Sequence, residues 1–252
     1  MAGKIGAETE YLKATYMPSP SISPDSIKRA RTALIRFKHF TNLPDAILDD
    51  LAKAASLHTY NAGQVIYIEG EPAEAIFILE FGWVRATRMS RDGREQAMLF
   101  LRPGEIFGDV AVFTGSNYPG TVIALEAVTA WAIPAQAILE KVRQSPELAQ
   151  AVIHHLGERV LYYVNLVEDL SLRSVEARLA NTLLQHAEVH EGQVMVPRKS
   201  WTTLDEMSVR LGTVRDVLSR TLRALEAEGI LRVEKQAIII LLPDKLAERG
   251  NS

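Results

Sequence analysis

A chain of 252 residues that is 47% hydrophobic and 23% charged can bury a sizeable core, and two domains are the better count for it. Its net charge of −3 argues against indiscriminate nucleic-acid binding by the chain as a whole. The absence of cysteine excludes disulfides, thiolate zinc sites, cysteine nucleophiles and cysteine-ligated iron–sulfur clusters, so any redox sensing falls to a bound cofactor.

Residues 1–35 are expected to be a flexible extension, because the Pro/Ser stretch from Met17 to Pro24 has neither helical nor strand period. The N-terminus, with Lys4 and Lys13, lacks the continuous apolar segment of a secretory signal. The chain contains no apolar run of about 18 residues to span a membrane, so a cytoplasmic protein with no membrane partner is expected. Ile47, Leu48, Leu51 and Ala55 then sit at helical spacing between Pro44 and Ser56.

From His58 to Ile133 short apolar runs alternate with glycines at 63, 70, 82, 93, 104, 108, 115 and 120. Val65–Ile68, Ile76–Leu79, Trp83–Thr87 and Ala97–Leu101 have strand length and composition. Arg91-Asp92-Gly93-Arg94 supplies a tight-hairpin signal between the last two. Repeated short strands with glycine turns indicate a sandwich or jelly roll over residues 36–145. After Pro146 the period becomes helical, with Leu148, Val152, Leu156, Val160, Tyr163, Val167 and Leu170 forming a stripe. A helix over 146–170 that dimerises through this stripe is preferred to one packed on its own domain, since the stripe outlasts what a small barrel covers. Ser174 can cap a following helix and marks a hinge ahead of a third region, 171–252. The fold class is α+β.

Thr203-Leu204-Asp205-Glu206 and Thr213-Val214-Arg215-Asp216 each place an acid three residues after a threonine, a helix-start pattern, with Gly212 between them. Together they describe a helix-turn-helix. On a helical wheel the second helix sets Val214, Val217, Leu218, Thr221, Leu222 and Leu225 against Arg215, Asp216, Ser219, Arg220 and Arg223. Residues 198–223 hold six basic side chains against three acidic ones, an excess suited to a phosphate backbone. Arginine can bond guanine bidentately and a carboxylate can accept from cytosine, so Arg215 with Asp216 or Arg220 could read adjacent bases. Arg198, Lys199, Thr202 and Thr203 complete the expected DNA-contacting set. Leu231–Val233 and Ile238–Leu241 add a hairpin, which makes the module winged.

The run from Leu211 to Glu226, LGTVRDVLSRTLRALE, resembles the recognition-helix segment of the cAMP receptor protein/FNR (Crp/Fnr) family. Arg102-Pro103-Gly104-Glu105-Ile106-Phe107-Gly108-Asp109 resembles that family's phosphate-binding cassette, and Asp169–Arg178 is a third match. The resemblance covers roughly residues 40–242. It implies a cupin-like cyclic-nucleotide-type barrel, a long dimerisation helix and a winged helix-turn-helix. Such a homodimer would read a near-palindromic operator in double-stranded DNA, with RNA polymerase a further candidate partner.

The family's cassette continues to an arginine and a hydroxyl residue that hold the cyclic phosphate. Here that stretch is Gly115-Ser116-Asn117-Tyr118-Pro119-Gly120-Thr121, and no arginine or lysine stands between Arg102 and Lys141. Cyclic AMP is therefore not expected to bind. The expected effector pocket comprises Gly104, Glu105, Phe107, Gly108, Asp109, Phe113, Tyr118 and Tyr163, with Val110 and Val122 beside them. Its apolar and aromatic members suit haem or an aromatic small molecule, and equally a packed core. A haem-based gas or redox sensor and an effector-independent regulator are the alternative readings. His154 and His155 are adjacent on one helix and point about 100° apart, so they do not share a metal. The chain has no Gly-x-Ser-x-Gly elbow, P-loop or His-Glu-x-x-His, and Glu105 with Asp109 reads as turn capping, so no enzyme is expected.

Overall fold

The computed structural model describes residues 23–93 and 95–251, in two compact units. One unit holds residues up to 85 together with 101–144, and the other holds 86–100 with 145 onward. Of the extension expected over residues 1–35, residues 1–22 lie outside the described residues.

In chain order the elements are α1 (Pro24–Arg36), α2 (Asp45–Ala54), β1 (Ser56–Tyr60), β2 (Val65–Tyr67), β3 (Ala75–Phe81), β4 (Val84–Met89), β5 (Glu95–Leu101) and β6 (Ile106–Phe107). There follow α3 (Asp109–Thr114), β7 (Thr121–Ala124), β8 (Val128–Pro134), α4 (Ala135–Gln144) and the long α5 (Pro146–Leu172). The C-terminal elements are α6 (Val175–Gln185), β9 (Glu188–His190), β10 (Gln193–Pro197), α7 (Leu204–Leu211), α8 (Arg215–Ala227), β11 (Leu231–Val233), β12 (Ala237–Ile240) and α9 (Pro243–Gly250).

Two four-stranded sheets, ordered β1-β8-β3-β6 and β2-β7-β4-β5, form the expected β domain. β8 pairs antiparallel with β1 on one side and β3 on the other, setting Trp131 opposite both Leu57 and Ile78. Ile76, Ile78, Leu79 and Trp131 are almost fully buried. β3 is buried on successive residues rather than alternate ones, because α1 covers the face that the barrel interior leaves over.

The expectation of an irregular arm fails over residues 24–36, which form α1. Ser23 accepts the backbone N–H of Ser26 at 3.2 Å and Pro24 stands in the first turn, where its missing N–H costs nothing. The proline that ends the Pro/Ser stretch therefore starts a helix. Ala30, Ala33 and Leu34 turn inward, and Arg29 grips Glu80 with two parallel bonds of 2.9 and 2.8 Å.

α5 also departs from expectation in where its apolar residues point. Leu148 and Val152 are buried within the chain, whereas Ile153, Val160, Val164 and Val167 are 57–67% exposed. With Gly157, these four repeat at intervals of four and three, a coiled-coil seam that keeps Val160 and Val167 of the predicted stripe and adds Ile153 and Val164. The first turns pack in cis and the later turns keep an uncovered seam.

In the C-terminal part, α6, α7 and α8 pack together beside a sheet ordered β11-β12-β10-β9. Arg173 and Asn181 both donate to the Gly250 carbonyl at 3.0 Å, tying α9 back to the start of this region.

Because Leu34 has no exposed surface, Leu34→Ala should cost about 2–5 kcal/mol. Denaturant unfolding that shows a loss below 0.5 kcal/mol, roughly the level of a surface change, would show that α1 is not part of the core.

Candidate nucleic-acid interface and barrel interior

Thr203 caps α7 as its spacing predicts, its hydroxyl accepting from the Glu206 N–H at 3.2 Å. Ser174 caps α6 in the same way through Ala177. α7 ends at Gly212, whose φ of +60° is costly for any residue bearing a Cβ. The predicted cap at Thr213 does not form. Thr213 N–H is spent on the Ser208 carbonyl, closing α7, and α8 begins at Arg215 with Val214 as a cap residue that makes no side-chain bond. The turn is one residue longer than the threonine spacing suggests.

Leu218, Leu222 and Leu225 are buried, which fixes the rotation of α8. Arg215, Asp216, Arg220 and Arg223 are exposed on the far side, while Ser219 is half-buried. Val214, assigned to the apolar arc, is instead 62% exposed, since it precedes the helix and follows none of its rotation. Arg215 reaches Asp205 of α7 at 3.4 Å, both side chains lying in solvent, a pair worth well under about 1 kcal/mol and easily exchanged.

The groups ahead of the motif are engaged differently. Arg198 donates to the Thr202 carbonyl at 2.8 Å, and burial lowers its pKa. Thr202 is 1% exposed, with its hydroxyl bonded to both the N–H and the carbonyl of Lys199 at 2.8 Å. Lys199 itself is exposed and pairs with Glu188 at 2.9 Å. Thr203 is exposed.

Two features escaped sequence reading. β9 and β10 widen the two-stranded wing to four strands, a signal present in the short apolar run Val194-Met195-Val196 between Gln193 and Pro197. Arg210, read only as part of the charge excess, lies over two rings, 4.0 Å from the Phe100 centroid and 4.8 Å from that of Trp201. His186 joins them: its Nδ1 bonds the Thr182 carbonyl at 2.9 Å and so carries the proton, which leaves Nε2 to accept from Arg210 at 3.4 Å.

In the barrel, Tyr118 and Tyr67 stack with ring centres 3.7 Å apart, and Phe77 stacks on Phe107 at 5.0 Å. The Tyr118 hydroxyl donates to the Ala75 carbonyl at 2.8 Å and accepts the Ala75 N–H at 3.3 Å. Burial pushes this hydroxyl up to about 12. Gly108, at φ +78°, stands so close that a Cβ there would lie 2.9 Å from the Ala75 carbonyl and 3.3 Å from the Tyr118 ring.

Of the other expected pocket residues, Phe107 and Asp109 are buried and Phe113 is partly exposed. Gly104 donates to the Leu79 carbonyl at 2.7 Å, and Glu105 accepts the Arg102 N–H at 2.9 Å, closing the turn as expected. Tyr163 lies on α5, in the other unit. His58 bonds Ser56 at 3.0 Å, and burial lowers its pKa. Among the described residues there is no cluster of three or more histidine or acidic side chains fit to hold a metal, and no helix is long and apolar enough to cross a membrane.

Residues 57–145 match the cyclic nucleotide-binding domain and residues 177–249 the Crp-like helix-turn-helix domain. The chain is 24% identical over 220 residues to a CRP-like cAMP-activated global transcriptional regulator of Mycobacterium tuberculosis, covering 86% of this chain and 98% of that one. It is 24% identical over 201 residues to the global nitrogen regulator of Synechococcus elongatus, covering 77% and 89%. The structure of FixK2 from Bradyrhizobium japonicum shares the fold at a TM-score of 0.69 with 21% identity, over 79% of this chain and 98% of that one. These named relatives are regulators rather than enzymes.

The helix-turn-helix bend is testable at Gly212, where a Cβ would also fall 2.8 Å from the Leu170 side chain. Gly212→Ala should destabilise the C-terminal region by more than about 1 kcal/mol. Unchanged thermal unfolding would mean that the turn adopts another conformation.

Proposed function

Since the chain belongs to the Crp/Fnr family of transcription regulators, we propose that it acts as a homodimer on a near-palindromic operator and that its barrel works without cyclic nucleotide. The observation that carries the DNA reading is the exposed arc Arg215, Asp216, Arg220, Arg223, held outward by the three buried leucines. Arg215 and Asp216 stand in the first turn of α8, the part of a recognition helix that reaches base edges. Lys199 and Thr203, exposed just before and at the start of α7, suit phosphate contacts. Arg198 and Thr202, turned onto the backbone, hold that surface in shape. The uncovered seam Ile153, Val160, Val164, Val167 supports the dimer, its occupant being the same seam of a second copy.

Support for a barrel free of cyclic nucleotide comes from Tyr118. In the segment where the family's phosphate-binding arginine falls, this chain places a ring that is 5% exposed and bonded to Ala75. A cyclic phosphate brought there would meet an aromatic stack and no cation, and a desolvated charge without a partner costs several kcal/mol, about 3–5.

Three measurements test the reading. Arg215→Ala should change the half-site recovered in a binding selection, losing about 1–3 kcal/mol at one base pair, and an unaltered consensus would remove α8 as the reader. Val160→Glu with Val164→Glu should sediment as a monomer; a retained dimer would place the interface elsewhere. Calorimetry with millimolar cAMP or cGMP should show no saturable heat, and a clear isotherm would refute the closed barrel.

A further inference from the structure

In sequence, residues 88–95 at the junction of β4 and β5 hold three arginines against Asp92 and Glu95, a net basic stretch on a chain of net negative charge. Arg88 and Arg91 are exposed. This hairpin lies in the same compact unit as the helix-turn-helix. Arg88, Met89, Ser90, Gly93 and Gln96 form one wall of a cleft of about 930 Å³ whose other wall is Ser208, Val209, Gly212, Thr213, Val214 and Arg215. The tip therefore stands beside the turn and first residues of α8, where base reading begins.

Two contacts hold it there. Gln96 donates to the Val209 carbonyl at 3.4 Å and its side-chain oxygen lies against Gly212, 2.5 Å from where a Cβ would be. Arg210 is sandwiched between Phe100 at the base of the hairpin and Trp201 of the winged module. A cation held between two rings is worth about 0.5–2 kcal/mol depending on its desolvation, enough to bias where a short hairpin rests.

When the first turn of a recognition helix enters a major groove, the preceding helix crosses the sugar-phosphate backbone that walls the groove. In this chain that backbone would run along the cleft between α7 and the hairpin. Glu95 also lines the cleft and opposes an anion, but Arg88 and Arg215 on the two walls of the cleft outweigh it. We infer that the β4–β5 tip, through Arg88 and Arg91, is a second, sequence-independent phosphate-binding edge of the DNA interface, positioned by the Phe100–Arg210–Trp201 stack. This rests on the reading of α8 as the base-contacting helix.

The experiment measures affinity of the full chain for the duplex recovered by binding selection, between 50 and 200 mM salt. Arg91→Ala should weaken binding several-fold at low salt and lower the slope of log affinity against log salt by about 0.9, leaving the selected consensus unchanged. Arg91→Lys should restore the slope, since a point charge suffices for counterion release. Phe100→Leu keeps the hairpin apolar while removing the ring, and it should reproduce the slope loss if the stack positions the tip. An unchanged slope in Arg91→Ala overturns the inference, and so does tighter binding by Phe100→Leu, which would make the hairpin an obstruction. If the wild-type chain selects no duplex at all, it is the α8 reading that falls.

Discussion

A helix that carries one apolar stripe has one rotation it can adopt against a core, and in this chain that constraint decides which side chains of α8 face outward. Leu218, Leu222 and Leu225 bury themselves among α6, α7 and the wing. Each contributes roughly 1.5–3 kcal/mol by leaving water, far more than any bond its exposed neighbours make among themselves. The outward direction of Arg215, Asp216, Arg220 and Arg223 is thus set by leucine packing. Their own weak attachments, such as the 3.4 Å approach of Arg215 to Asp205, leave them available to a partner.

In the barrel the same physics works in the opposite sense. Tyr118 has a polar tip that would cost about 1–3 kcal/mol if buried without a partner. Bonding to both backbone groups of Ala75 removes that cost and lets the ring lie flat on Tyr67. Gly108 admits the ring only because it has no Cβ. A position that could have faced a ligand is instead joined to β3, and Phe77 and Phe107 extend the same aromatic layer.

Where a single residue's local chemistry decides the structure, the chain was readable from its letters. The caps at Ser174 and Thr203, the glycine that ends α7, the strand runs and the length of α5 all follow from short-range rules. The misreadings occur where neighbours compete or where tertiary contacts choose. Pro24 closes an irregular stretch and also opens α1, and only the burial of Ala30, Ala33 and Leu34 reveals which role prevails. Thr213 matches a cap pattern, yet its N–H is claimed by Ser208 to finish the preceding helix. The α5 stripe is right at Val160 and Val167, which lie in the uncovered seam, and wrong at Leu148 and Val152, which satisfy the same spacing yet are buried within the chain. Arg210 looked like one more basic residue, since nothing in its surroundings in sequence announces Phe100 and Trp201.

On the proposed reading, the need to read two half-sites accounts for the uncovered later turns of α5. One recognition helix reaches only a few base pairs, and each discriminated pair is worth about 1–3 kcal/mol. Nonspecific sites in a genome number in the millions, so a regulator that read one half-site would be titrated away from its operator. Pairing two modules doubles the discriminated positions without requiring a larger module, at the cost of a helix that is incomplete on its own. Ile153, Val160, Val164 and Val167 carry that cost, and the heptad spacing they keep makes a second copy of this chain the partner that fits them best.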